Sequence, residues 1–265
     1  MRTLAPFGRR MARVASVEGI GEYALLWADD GDGPADPRPG QFYMLAAEER
    51  WGAGTDERPW LPRAFSYCRA ENGRLGFILE DVGPGTHRLA QLAVGDGLWL
   101  TGPLGVGFTP PEGRPLLVGG GIGVAPILCW SDELGPDARV LLGFRSTGYA
   151  EAASLFRAEV ALATDDGSAG RRAYVTELLR EDLDADPAAT VYACGPPPML
   201  EAVRALCGER GVSAQLAMES GMACGFGACF GCVVPTRTGY VRLCVDGPVV
   251  DAADLETALV PGSGH

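Results

Sequence analysis

Hydrophobic positions along the first 110 residues come in short groups cut by Gly and Pro. Residues 74–79 partly alternate apolar and polar, and 97–100 form a second short run between turn residues, the pattern of half-buried strands. The stretches 29–40 and 48–59 carry turn residues at many positions and read as loops. Repeated short strands without a helical period predict an antiparallel barrel or sandwich. Near Glu112 the pattern changes. Apolar runs at 116–118, 139–144, 160–164 and 190–194 alternate with helix-like stretches that end at Leu134 or cover 150–160, 175–180 and 198–210. Such alternation predicts parallel βαβ units and an open nucleotide-binding sheet. From Gln215 it changes again: glycines and cysteines crowd 221–232, and 240–245 reads as a strand. A tail of roughly 50 residues has too little core of its own and needs a metal or cross-link to hold its shape.

Composition sharpens this picture. A length of 265 residues suits about two domains with an appendage. The contents of 47% hydrophobic and 21% charged residues are those of a globular chain. A formal charge of −12 argues against binding nucleic acid or an anionic membrane surface. The apolar run 116–130 is broken by glycines and shorter than the roughly 18 residues of a membrane span. The first 20 residues show four arginines and no apolar block, so a cytoplasmic protein is expected, with its eight cysteines reduced. The only histidines are His87 and His265, so a metal here would be held by thiolates.

Four of the eight cysteines fall in the last 42 residues. Cys224, Cys229 and Cys232 follow C-x4-C-x2-C, and Cys244 comes after eleven further residues. This is the plant-type [2Fe–2S] spacing: a tight loop offers three thiolates and a nearby strand the fourth, while Gly221, Gly225, Gly227 and Gly231 let the backbone wrap closely. A structural zinc site, although zinc usually takes C-x2–4-C pairs, and free thiols are the other readings.

Gly119 to Pro126 joins a strand to a helix, where a nucleotide phosphate can meet helix amides, or where a turn is merely tight. It does not match G-x-G-x-x-G, because Val124 occupies the last glycine position. Cys194 ends a strand before Gly195-Pro196-Pro197-Pro198, at the carboxyl edge of the sheet, either facing a ligand or simply buried. Arg63-Ala64-Phe65-Ser66 places a phosphate-capable arginine, an aromatic and a hydroxyl on one strand, and Gly83-Pro84-Gly85-Thr86 offers backbone amides some twenty residues on. Together these suit a pyrophosphate and a flat ring. Singly, each is more often a surface arginine or a plain turn.

The order Arg-x-Phe-Ser, Gly-x-Gly-Thr, GGGIGVAP and YACGPPPM resembles the ferredoxin–NADP reductase superfamily. With the cysteine tail attached, the chain is similar to the electron-transfer subunits of NAD-dependent dihydroorotate dehydrogenases. The resemblance implies a Greek-key β-barrel FAD domain over 1–111, an NAD-binding α/β domain over 112–214 and a [2Fe–2S] segment over 215–265. It implies that Arg63, Ala64, Phe65, Ser66, Ile78, Leu79 and Glu80 line FAD, and that Gly85 and Thr86 hold its pyrophosphate. Gly121, Gly123 and Cys194 would meet the nicotinamide nucleotide, and Cys224, Cys229, Cys232 and Cys244 would ligate the cluster. It further implies an FMN-containing catalytic partner that oxidises dihydroorotate, assembled as a heterotetramer. The flavin would sit between a cluster that passes single electrons and a nicotinamide that takes two, in pyrimidine biosynthesis. Ala64, where the family commonly has Pro, Gly221 in place of a bulkier residue, and the loops around 29–36 and at Trp51 and Trp60 depart from the pattern. Two further readings stay open: a flavin and iron–sulfur subunit of an NAD(P)H–ferredoxin oxidoreductase or hydrogenase, with Arg145 and Ser146 placed for a 2′-phosphate, and a zinc-stabilised nucleotide-binding regulatory protein.

Overall fold

The structure is a computed structural model that describes residues 8–34, 36–52 and 59–260. Seven strands make the first sheet: β1 (Arg10–Ile20), β2 (Tyr23–Asp29), β3 (Phe42–Ala47), β4 (Arg63–Ser66), β5 (Arg69–Glu71), β6 (Arg74–Glu80) and β7 (Gly97–Leu104). They pair antiparallel in the order β4-β3-β7-β1-β2-β6-β5. The two edge strands, β4 and β5, are joined by Tyr67 and Cys68 alone, so the edges meet and the sheet curls into a barrel. Tyr43 fills its centre, edge-on to Tyr67 at 6.0 Å and to Phe77 at 5.8 Å. A short helix, α1 (Pro84–Ala90), follows β6.

The second sheet has β8 (Arg114–Gly120), β9 (Arg139–Phe144), β10 (Val160–Thr164), β11 (Arg171–Arg172), β12 (Ala189–Cys194) and β13 (Ser213–Ala217), all parallel. Helices α2 (Val124–Leu134), α3 (Thr147–Ala150), α4 (Val175–Ala185) and α5 (Pro197–Arg210) connect them. Pro126 lies in the first turn of α2, where no amide hydrogen is missed, and α5 opens on Pro197 and closes on Gly211 in the left-handed region, φ 64°. Trp130 of α2 stacks on Phe108 at 6.0 Å and meets Tyr192 of β12 at 5.5 Å, seating the helix on the sheet.

The tail adds a hairpin, β14 (Val233–Thr236) with β15 (Gly239–Arg242), and β16 (Val249–Asp251). β16 pairs antiparallel with β13 at Gln215, Leu216 and Ala217, completing the order β11-β10-β9-β8-β12-β13-β16. The tail therefore shares a core with the nucleotide sheet instead of standing alone: Leu243, Val234 and Cys232 are buried with Leu216 and Leu200.

Three expectations are corrected. The helix expected over 150–160 is α3 followed by a 3-10 turn, Glu151–Leu155. The Ser154 hydroxyl donates back to the Glu151 carbonyl at 2.7 Å, and the Leu155 carbonyl accepts from Arg69 of the barrel at 2.7 Å, so the helix is not continued. The strand expected over 240–245 stops at Arg242, whose carbonyl closes a turn by accepting from Val245 and Asp246 at 3.0 and 2.7 Å, and Cys244 rides on that turn. The pattern change expected at Gln215 falls inside β13, which runs on to Ala217. Of the loop read over 48–59, residues 53–58 lie outside the described residues, as do Ala35 in the loop 29–40 and His265. Among the described residues no helix is long and apolar enough to cross a membrane.

Candidate functional site

A cavity of about 350 Å³ opens where barrel, nucleotide sheet and tail meet. The barrel contributes Arg63, Ala64, Phe65 and Ser66 from β4, Ile78 and Glu80 from β6, and Thr86 from α1. Leu79 does not line it: strand alternation turns Leu79 into the barrel core, while its neighbours face the cavity. Gly85 lies beneath Arg63, and a Cβ there would stand 2.5 Å from the Arg63 Nε, so a larger residue would make the Arg63 side chain shift. Arg63 donates to the Leu61 carbonyl at 2.6 Å and stands 5.9 Å from the ring centroid of Trp51. The Thr86 hydroxyl accepts from the amides of Val82 and Gly83, both at 2.9 Å, and donates to the Gly83 carbonyl at 3.0 Å. Thr86 thus builds the turn that carries it.

The opposite wall is the carboxyl edge of the parallel sheet. β8 has β9 on one side and β12 on the other, so the strand order reverses beside it, which is where ligands bind in open α/β sheets. Gly123 lines the cavity, and a Cβ on it would lie 2.5 Å from the Gly195 amide nitrogen and 2.6 Å from the Cys194 carbonyl. Two turns meet there backbone to backbone. Gly121 stands outside the wall, in the left-handed region at φ 54° with open space around its α-carbon. Cys194 is buried on the wall; burial above all, and then the charge of Glu219, push its thiol well up, so it is a neutral group. Arg145 donates to Glu80 across the domain seam at 2.8 Å and lies 4.1 Å over the Tyr149 ring. Ser146 precedes α3.

The third wall is the segment Met218, Glu219, Ser220, Gly221 and Met222, with Pro248. Ser220 carries a hydroxyl that is shielded from water and has no partner in the protein. Two residues beyond Met222 the cysteine loop begins. The Cys229 amide donates to the Cys224 sulfur at 3.4 Å, the Gly231 amide to Cys229 at 3.4 Å and the Gly227 amide to Cys244 at 3.1 Å. Gly225 and Gly227 at φ 77° and 84°, and Phe230 at φ 58°, turn these amides inward. Cys232 and Cys244 have their sulfurs 3.2 Å apart, and Cys224 and Cys229 make a second pair. Among the described residues no three His, Cys, Asp or Glu side chains gather as a single-ion site. Two thiolate pairs within reach of inward amides are what a two-iron, two-sulfide cluster uses. Burial raises the Cys224 thiol, but the amides of Cys229, Phe226 and Ala228 and the Cys229 side chain outweigh it and bring it down to about 6. Cys244, dominated by burial and by Cys232, is pushed up to about 12.

Comparison with known proteins fits these walls to a family. Residues 219–256 match the model of the iron–sulfur cluster binding domain of dihydroorotate dehydrogenase B, and 149–205 that of the oxidoreductase NAD-binding domain. The chain is 36% identical over 226 residues to the dihydroorotate dehydrogenase B (NAD(+)) electron transfer subunit of Caldanaerobacter subterraneus, covering 83% of this chain and 87% of that one. It is 38% identical over 265 residues to the protein of the same name from Geobacillus kaustophilus, covering 94% and 98%. This chain belongs to the family of dihydroorotate dehydrogenase B electron-transfer subunits.

Solved structures agree on the fold. The NADH-dependent reduced ferredoxin–NADP oxidoreductase superposes with a TM-score of 0.76 at 24% identity, over 95% of this chain and 91% of that one. The ferredoxin reductase of carbazole 1,9a-dioxygenase superposes at 0.63 with 26% identity, over 77% and 66%. Family membership makes the chain an oxidoreductase component that works with a catalytic partner subunit. Sequence reasoning missed the wall from Met218 to Met222. It read only Gly221 there, as a glycine that lets the backbone wrap the cysteines, although the segment's direct attachment to Cys224 was a usable signal.

Proposed function

We propose that this chain carries electrons from a dihydroorotate-oxidising, FMN-containing partner, through a [2Fe–2S] cluster on Cys224, Cys229, Cys232 and Cys244 and an FAD in the central cavity, to NAD⁺. One observation carries the reading: the segment Ser220–Met222 walls the same cavity as Arg63–Ser66 and Gly123, and Cys224 follows two residues later. Barrel, nucleotide edge and cluster loop thus converge on one place.

The residues fit the groups. Arg63 over Gly85 supplies a cation above a turn whose shape Thr86 fixes, suited to a pyrophosphate. Phe65 and Ile78 offer apolar surface for a flat ring, and the unpartnered Ser220 hydroxyl stands ready for a polar atom of a bound ring. When bound, the cluster passes electrons singly and the flavin exchanges single electrons for the hydride pair of nicotinamide. The chain's own part is to place and shield. Gly123 lets a nucleotide approach the backbone at the sheet edge, and Cys194, held neutral, presents a compact sulfur with no charge there. The Gly227, Cys229 and Gly231 amides offset thiolate charge and tune the cluster's potential. Arg145, tied to Glu80, is committed to the domain seam, which favours NAD over a 2′-phosphate ligand. The reading includes a cytoplasmic location, in keeping with eight free thiols, and a heterotetramer of two chains of each kind.

The deciding experiment is Cys229→Ser in the complex with its partner. The variant loses the cluster absorbance and dihydroorotate-driven NAD⁺ reduction, yet still passes electrons from NADH through the flavin to a dye. Dihydroorotate-driven NAD⁺ reduction at the wild-type rate in a cluster-free variant overturns the order of carriers.

A further inference from the structure

Residues 220–236, which include three of the four tail cysteines, carry no charged side chain. The next fourteen residues carry Arg237, Arg242 and Asp246. Arg237 is engaged elsewhere: its Nε donates to the Ala253 carbonyl at 3.0 Å. Arg242 ends β15, where it pairs with Val233 next to Cys232, and stands two residues before Cys244. Its side chain folds onto the cysteine loop. Nη1 comes 3.1 Å from the position a Cβ on Gly227 would take, and the guanidinium carbon lies 5.7 Å from the ring centroid of Phe230. Gly227 is the residue whose amide donates to the Cys244 sulfur. In a chain of net charge −12, a cation thus packs on backbone that already touches one of the sulfurs.

Two contacts hold the guanidinium there. Asp246 Oδ2 accepts from the Arg242 backbone amide at 3.1 Å and from its Nε at 3.2 Å, and this grip on Nε leaves Nη1 against Gly227. The Phe230 ring, set by a backbone at φ 58°, stands within cation–π range of the same group. The ion pair is partly buried, so water and salt screen it incompletely. A cluster held by thiolates is anionic, and reduction adds a further negative charge. Its potential therefore responds to fixed charge nearby as well as to amides that donate to sulfur. A cation against the loop favours the reduced form, and the carboxylate behind that cation opposes it.

We propose that Arg242 raises the reduction potential of the cluster by holding a fixed positive charge against the Gly227 backbone, with Asp246 as its positioning residue and partial counterweight. The inference rests on the reading of the four tail cysteines as cluster ligands. It adds that a side chain outside the ligand set governs how readily the cluster accepts an electron.

The test is a dye-mediated titration with dithionite of the full chain, holding flavin and cluster, in complex with its partner. Electron paramagnetic resonance reads the reduced cluster, and the visible spectrum of the oxidised form shows that the four ligands are kept. At the wild-type midpoint the ratio of reduced to oxidised cluster falls about fivefold in Arg242→Gln, which for a one-electron couple is about 40 mV. Asp246→Asn moves it the other way, up about threefold. Arg242→Lys, which keeps the charge, stays within about twofold of wild type. Raising the ionic strength from about 0.05 to about 0.5 M narrows the gap between wild type and Arg242→Gln, as screening of a charge requires and a change in packing does not. A ratio in Arg242→Gln within about 1.5-fold of wild type, an Arg242→Lys shift as large as that of Arg242→Gln, or a gap indifferent to salt overturns the assignment. If Arg242→Gln does not hold the cluster, Asp246→Asn decides: a raised ratio supports the proposal, and an unchanged or lowered one overturns it. Wild-type protein that takes up neither iron nor sulfide on anaerobic reconstitution overturns the cluster reading instead.

Discussion

One glycine-rich turn lines the cavity and another begins just beyond its wall, and they use glycine for opposite reasons. In the turn after β8, Gly123 is required because backbone meets backbone: the Gly195 nitrogen and the Cys194 carbonyl occupy the space of a side chain. In the cysteine loop, Gly225 and Gly227 are required because φ near 80° points amides at sulfur. The first turn excludes atoms so that two stretches of backbone can meet; the second collects donors so that thiolate charge can be held. Their thiols diverge accordingly. Cys194 is kept neutral by burial, while inward amides bring Cys224 down to about 6.

The sharpest way to break this comparison is to label the thiols of cluster-free protein. At pH 7.5 an alkylating agent modifies Cys224 on the order of a hundredfold faster than Cys194 or Cys244, even after allowing for the weaker nucleophilicity of a low-pKa thiolate. Peptide mass mapping reads this directly, and comparable rates would sink the contrast. The Cys224 rate falls as pH drops through about 6. The sign for stability follows: a folded value below the ordinary thiol value of 9.0 stabilises the cluster-free fold most above pH 9. That contribution is lost as pH falls towards 6.

Gly123→Ala comes next. Its Cβ collides with backbone atoms that cannot rotate away, so the cost is about 3 kcal/mol or more, with NADH binding lost in parallel. Denaturant unfolding and an NADH titration check both. Gly227→Ala costs about 2 kcal/mol, from a left-handed φ and a contact of 2.7 Å with Val245. Its signature is a loosened cluster, read in the visible spectrum, with NADH binding intact. Gly221→Ala is the smallest change. No atom lies within 4 Å of its Cβ position and its φ is not left-handed, so stability moves by less than about 0.5 kcal/mol. A large loss there would show that open space does not predict tolerance in this loop.

Much of this was legible along the chain where the physics is local. The strands at 139–144 and 160–164 are apolar runs bounded by polar and turn residues, and both appear with those limits. The cysteine spacing carried the thiolate pairs, because a loop of that length leaves few ways to bring four sulfurs near each other. Illegible features depended on distant partners. Leu155 ends its helical turn because Arg69 of another domain takes its carbonyl. β16 is a strand because the exposed edge of β13 is there to receive it. Leu79 is a case of a different kind: period-two alternation separates its side chain from those of Ile78 and Glu80, while the resemblance names the three together.

The pairing of β16 with β13 has a mechanical corollary when set beside Gly225, whose Cβ position lies 2.6 Å from Met44 of the barrel. The tail is fastened to both larger units, like a buckle closing a strap. Swinging those units apart would have to unzip a sheet edge or unseat the sulfur loop. Either way, the cysteine loop cannot stay fixed to both units unless they hold their present spacing.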